Sequence, residues 1–258
     1  MPRKARIQSK TGVYHIMLRG ANRQEIFHDD EDCMRFLETI QRYKSKSGIK
    51  VFAWCLMGNH VHLLLKEGIE DISNTMRRIG VSFVSYYHWK YKTTGHLFQD
   101  RFRSENVESD RYLLTVTRYI HQNPIMAGLT RKVEEWKWSS CLGYYGKQYF
   151  PMGLLDKDFV LEKFSDNAEA ARRMFRDYNE LQNGDQCLDD FPRRVRKTDT
   201  EAKKEMEILL GPVEIAHVKS LPRLKRNEIL RNVKKIEGVS YRQIARIFGV
   251  SPSLVARA

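Results

Sequence analysis

The chain has 258 residues, with 45 Lys and Arg against 32 Asp and Glu and a formal net charge of +13. A 41% hydrophobic content with twelve Phe, twelve Tyr and four Trp excludes a disordered polyelectrolyte, and no apolar run approaches the ~18 residues that cross a bilayer. The positive surplus favours a polyanionic partner, nucleic acid or an anionic membrane face, although a merely basic soluble protein would share it.

The length suggests one or two domains at about 150 residues each. The N-terminal MPRKARIQSK has no apolar stretch behind it and does not read as a secretory signal. Cys33, Cys55, Cys141 and Cys187 form no CxxC pair and no zinc-ribbon spacing. Cys33 and Cys55 sit in apolar patterns and read as core thiols, so the expected compartment is the reducing cytoplasm.

In chain order, Val13 to Arg19 alternates as a half-buried strand. Asp29 and Asp30 then offer a cap for a helix whose apolar stripe is Cys33, Phe36, Leu37 and Ile40. Two β-rich runs follow, Lys50 to Met57 and His60 to Lys66. Only Gly58 and Asn59 separate them, which predicts a tight hairpin. A second helix is expected from Ser73 to about Lys92, a short strand from Phe102 to Val107, and a third helix from Ser109 or Asp110 to about Gln122, closed by Pro124. The order β-α-β-β-α-β, then a helix, is that of the split βαβ unit. It predicts an α+β, ferredoxin-like fold, an antiparallel sheet with helices on one face.

After Tyr149 the texture changes. Residues 155–182 read as helical, with Ala168, Ala171, Phe175 and Tyr178 on one stripe. Positions 193–235 carry thirteen Lys and Arg against six Asp and Glu. Further on, Leu224 to Ile236 reads as one helix, Ser240 caps a second with Ile244, Ala245, Ile247 and Phe248 on its apolar side, and Ser251 caps a third beyond Gly249.

His60 and His62 flank Val61, and side-chain alternation on a strand puts both imidazoles on one face. Such a pair can bind a divalent metal. With eight histidines in the chain it does not stand alone, and paired structural histidines would look the same. A second cluster adds weight: Tyr119 and Asn123 are four apart and share a helical face. A tyrosine can act as a covalent nucleophile, a metal can polarise a phosphoryl oxygen for it, and the Asn123 amide oxygen could complete a mixed N/O site. A half-buried helix tyrosine would share the pattern. His121 turns off that face and reads as no ligand.

The segments GNHVHLLL (58–65) and RYIHQNPIMAGL (118–129) together resemble the single-tyrosine HUH transposases, especially the REP-associated tyrosine transposases. VYHIMLRGANRQEIF (13–27), GHLFQDRFRS (95–104) and WKWSSCLGYY (136–145) are similar to the same family, so the resemblance covers about residues 1–150. It implies that His60 and His62 bind the metal, Mg²⁺ or Mn²⁺, that Tyr119 is the nucleophile, and that Asn123 is the polar ligand one turn later. It further implies attack on single-stranded DNA beside hairpins formed by imperfect palindromic repeats, leaving a 5′-phosphotyrosine and a free 3′-hydroxyl. Arg19, Asn22 and Arg23 after the first strand, and Gln99, Arg101 and Arg103 around the last, are the expected DNA contacts, with Phe98 and Phe102 for base stacking. An ordinary solvated surface is the other reading of these residues.

The C-terminal pattern resembles a helix-turn-helix, including the replication-initiator type, whose second helix enters a major groove. About seven residues remain for that helix before Ala258, so the module reads as cut short or degenerate, and a small helical packing domain is the alternative. The expected organisation is a catalytic domain over 1–150, a helical linker region over 151–215, and a helix-turn-helix for duplex DNA over 216–258. The leading expectation is a metal-dependent, single-strand-specific DNA transposase, monomer or homodimer, with no membrane partner. A catalytically inactive DNA-binding regulator and a metal-dependent RNA endonuclease are the alternatives.

Overall fold

The structure is a computed structural model that describes residues 7–182, 184, 185, 187, 188, 197–236 and 238–258. The expected cations Arg193, Arg194 and Arg196, and most of the basic N-terminal run, lie outside the described residues. The chain divides into two compact units, Met1–Leu188 and Asp189–Ala258. Residues 151–188 thus fall in the first and 189–215 in the second.

In the first unit four strands, β1 (Val13–Arg19), β2 (Lys50–Met57), β3 (His60–Lys66) and β4 (Arg103–Asn106), form one antiparallel sheet in the order β2-β3-β1-β4. The hairpin joining β2 and β3 turns on Gly58 and Asn59, as the sequence predicts. Helix α1 (Asp30–Ser47) starts where the Asp29 carboxylate accepts from the Asp32 N–H, satisfying a donor that helical geometry leaves unpaired. Helix α2 (Ile72–Tyr91) is capped by Asp71, which accepts from Ser73 and Asn74, so it begins one residue before the anticipated Ser73. Phe36 of α1 and Phe83 of α2 meet edge to face at 5.1 Å, and Phe27 joins both.

Helix α3 (Asp110–Met126) runs past Pro124, where the sequence suggested it would close. The proline sits in the last turn, so only one helical donor is lost there. The end is made instead by Ala127 N–H donating to the Asn123 carbonyl and Leu129 N–H to that of Pro124. Tyr119 of α3 lies against His15 and His62, while the opposite-facing Tyr14, Ile16, Leu18, Val61, Leu63 and Leu65 are also buried. The expectation of cover on one face therefore gives way to a sheet buried on both.

Beyond α3 come two short helices, α4 (Cys141–Tyr144) and α5 (Asp158–Leu161), and then α6 (Ala168–Glu180). The continuous helix expected over 155–182 is broken because Asn167 folds back as a cap, accepting from Glu169 and Ala170. Residues 138–140 run along the outer edge of β2: Leu56 N–H donates to the Trp138 carbonyl and Ser140 N–H to that of Trp54.

The second unit holds α7 (Asp199–Leu210), a 3-10 turn (Ile215–Ser220), α8 (Arg223–Val233), α9 (Tyr241–Phe248) and α10 (Pro252–Arg257). It has its own core of Ala202, Met206, Leu210, Val218, Leu230, Val233, Ile244, Phe248 and Val255. Ser240 and Ser251 cap α9 and α10 as read from the sequence, and Gly249 between them takes a left-handed φ of 65°. Among the described residues no helix is long and apolar enough to cross a membrane.

Candidate active site

Strand register decides which side chains share a face. His62 pairs with Met17 and with Cys55, and His60 pairs with Arg19 and with Met57. Glu105 and Arg103 of β4 pair with His15 and Met17, so they belong to the same face. His15, Arg19, His60, His62, Arg103 and Glu105 therefore line one side of the sheet, with Val61 turned into the core on the other.

Tyr119 reaches this face from α3. Its ring meets that of His62 at 5.7 Å and that of His15 at 5.8 Å, both edge-on, and it is only 3% exposed. Asn123 follows one turn later, and its amide nitrogen donates to the Tyr119 carbonyl at 2.9 Å. The rings of His60 and His62 are 5.2 Å apart. Of the four anticipated residues, His62 thus touches both His60 and Tyr119, and the Asn123 side chain bonds the Tyr119 backbone.

The electrostatics keep the central imidazole neutral. Burial first, then the neighbouring His15 and His60 rings and the Arg19 guanidinium, push His62 well below its ordinary value. Burial pushes His15 down to about 3. A neutral imidazole presents a lone pair, as metal ligation requires. His62 Nδ1 is 3.0 Å from His15 Nε2, and His60 Nδ1 is 2.6 Å from Asn59 Oδ1. His62 Nε2 is buried with no hydrogen-bond partner. A buried polar atom left over in this way fits an absent cation. Among the described residues no three His, Cys, Asp or Glu side chains form a metal cluster, so an ion held here would rest on the two imidazoles and oxygen donors such as the Asn123 amide.

The expected DNA contacts gather beside this face. Gly20 N–H donates to the Asn59 carbonyl, Ala21 N–H to that of Leu97, and Gln99 N–H to that of Arg19. The loop after β1, the hairpin turn before His60 and the segment at 97–99 are therefore laced together. Asn22 and Arg23 stand exposed on this loop with left-handed φ values of 52° and 63°, strain of the kind that collects at functional loops. Gln99 and Arg101 are exposed, while Arg19 and Arg103 are half-buried. Of the two rings expected to stack on bases, Phe102 is buried, which corrects that expectation for it, while Phe98 is half-buried and packs 6.4 Å from Phe83.

His121, off the face that carries Tyr119 as anticipated, is buried between Ser140 Oγ at 2.8 Å and Asn179 Oδ1 at 3.1 Å. Sequence reasoning missed His15 and Glu105. Position parity puts His15 on the face of Arg19, but only the pairing of β1 with β3, far apart in sequence, brings it to His62.

Residues 8–123 match the family model described as "Transposase IS200 like". A REP-associated tyrosine transposase of Escherichia coli (strain K12) is 24% identical over 140 residues, 54% of this chain and 80% of that protein. A solved structure of a REP-associated tyrosine transposase bound to a REP hairpin matches with a TM-score of 0.49 and 20% identity, covering 58% of this chain and 89% of that one. The segment that builds the site, residues 8–123, is thus the part of the chain that is similar to the IS200-like transposases.

Proposed function

We propose that the chain is a metal-dependent transposase that cleaves and rejoins single-stranded DNA beside hairpins, with Tyr119 as nucleophile. The observation that carries this reading is the Tyr119 ring set edge-on against His62, on the face that also holds His60. His60, His62 and Asn123 would hold the ion. Mg²⁺ or Mn²⁺ bound there polarises a phosphoryl oxygen; two nitrogen donors suit Mn²⁺ better than the harder Mg²⁺.

The Tyr119 Oη attacks phosphorus as the bond from phosphorus to the 3′-oxygen breaks, and that oxygen leaves as a hydroxyl carrying a proton in place of the one the phenol gives up. The 5′ side stays on Tyr119 as a phosphotyrosine. One P–O bond replaces another, so a second 3′-hydroxyl can reverse the exchange without ATP. Arg19, Asn22, Arg23, Gln99, Arg101 and Arg103 neutralise and guide the strand, and the ferredoxin-like sheet is the platform. The second unit acts as a helix-turn-helix, with α10 presented to duplex DNA. The protein works in the cytoplasm as a monomer or homodimer.

Incubation of the full chain with a panel of hairpin-bearing single strands and Mn²⁺ should give a denaturant-stable protein–DNA adduct. Tyr119→Phe should give none, and a matched RNA hairpin should not substitute. An adduct that persists in Tyr119→Phe removes the nucleophile. Duplex binding with no adduct on any hairpin favours the inactive regulator.

A further inference from the structure

We propose that His15 is a positioning residue that fixes the tautomer of His62 and aims its Nε2 lone pair at the bound cation, with Glu105 as the outer anchor. This rests on the reading of His62 as a metal ligand, and goes beyond it to a residue outside the ligand set.

The proton positions follow from the outside inward. His15 Nδ1 and Glu105 Oε2 are both buried atoms with no hydrogen-bond partner, and they lie 4.0 Å apart. A carboxylate facing a ring nitrogen is favourable only if that nitrogen carries a proton, so His15 is protonated at Nδ1. A neutral ring has one N–H, which leaves His15 Nε2 as an acceptor. That acceptor sits 3.0 Å from His62 Nδ1, which must therefore be the donor. His62 Nε2 is then the lone-pair nitrogen, and it is the atom left buried without a partner. Three side chains from β4, β1 and β3 form one polarised line, Glu105 to His15 to His62, ending on the side of Tyr119. An outer hydrogen bond of this kind orients a ligating imidazole and raises its basicity. The alternative tautomer of His62 would point an N–H at the cation.

Two measurements on the whole protein test this. Nitrogen-15 NMR of the metal-free wild type should find the His62 ring proton on Nδ1; a proton on Nε2 overturns the proposal, and this readout needs no variant to fold. Titration with Mn²⁺ alone should show His15→Leu weakened by about 10- to 100-fold. His15→Gln, whose amide oxygen reaches the place of Nε2, should recover most of that loss. Metal-free affinity for a hairpin strand should be the same in all three. If His15→Leu binds Mn²⁺ like wild type while His62→Ala does not, the role of His15 is refuted and the site stands. If His62→Ala also binds Mn²⁺ normally, the site itself is wrong and the inference falls with it.

Discussion

Asp32 is fully buried on α1, yet four donors converge on its carboxylate. These are the His28 N–H at 2.8 Å, Tyr91 Oη at 2.7 Å, Tyr86 Oη at 3.0 Å and Lys90 Nζ at 2.9 Å. Burial alone would raise the acid's pKa, but hydrogen bonds from Tyr91, the His28 N–H, Lys90 and Tyr86 together hold it below its ordinary value. A depressed folded value means the unfolded chain binds the proton more readily. The stabilisation is complete above the unfolded value near 3.9 and drains away as pH falls through the lower folded value. Asp32→Asn should therefore cost about 3 kcal/mol at pH 7, since it deprives two tyrosines and the His28 N–H of a charged acceptor, Lys90 keeping Asp29 and Glu31. Thermal melts from pH 7 to pH 3 should show that deficit shrinking below about pH 4; a deficit that stays constant would refute the assignment. That His60 shares a face with His62, and Tyr119 with Asn123, was legible because i+2 on a strand and i+4 on a helix are local rules. Asp32 and His15 were not, since their partners arrive from elements that sequence spacing does not align.

At the scale of elements, α3 is held in place along its flank. The Arg118 guanidinium grips Asp185 through Nε at 2.8 Å and Nη2 at 3.0 Å and stacks 4.1 Å above the Tyr178 ring. Gln122 donates to the Asn179 and Leu181 carbonyls, and His121 binds the Asn179 side chain. The helix that carries Tyr119 is thereby fixed in rotation from its far side. Asn179→Ala would remove the partner of His121 Nδ1 and a donor to the Tyr145 hydroxyl in the core and should lower stability by about 2 kcal/mol, read from urea unfolding. An unchanged midpoint would show the contacts to be dispensable. The loop after β1 depends on a close approach instead: a Cβ on Gly20 would meet the Gln24 carbonyl oxygen at 2.1 Å. Gly20→Ala must displace the loop bearing Asn22 and Arg23, and should weaken hairpin binding by roughly tenfold, about 1.4 kcal/mol, with Mn²⁺ affinity unchanged. Equal loss of both would mean that the loop and the metal site are one unit. Strands β1, β2 and β3 were readable to the residue from apolar runs and the Gly58–Asn59 turn. The end of α3 and the break before α6 were not, because a proline in a last turn and an asparagine cap act through hydrogen bonds that composition does not reveal.

For the molecule as a whole, two separate cores predict two separable unfolding events. Phe248 is 2% exposed within the second core, and Phe248→Ala should cost that unit about 3–5 kcal/mol. Calorimetry should show one transition lowered and the other unmoved, with adduct formation on hairpin strands retained. A joint shift of both transitions would refute the independence of the units. The sequence anticipated a patterned helical end and a helical stretch over 151–215 but not the bounds of α7, whose start is set by a reciprocal cap between Thr198 and Glu201 rather than by any apolar run.

The strip at 138–140 laid along β2 has a consequence for assembly. An uncovered strand edge is a template on which another chain can add, and here one side of the sheet already has its backbone groups taken by the protein's own chain. The opposite margin is β4, four residues long. Two copies of this chain cannot merge their sheets across β2 into a continuous ribbon. A homodimer that extended the sheet could do so only along the short β4 margin, and the strip keeps the long β2 edge from pairing with another copy.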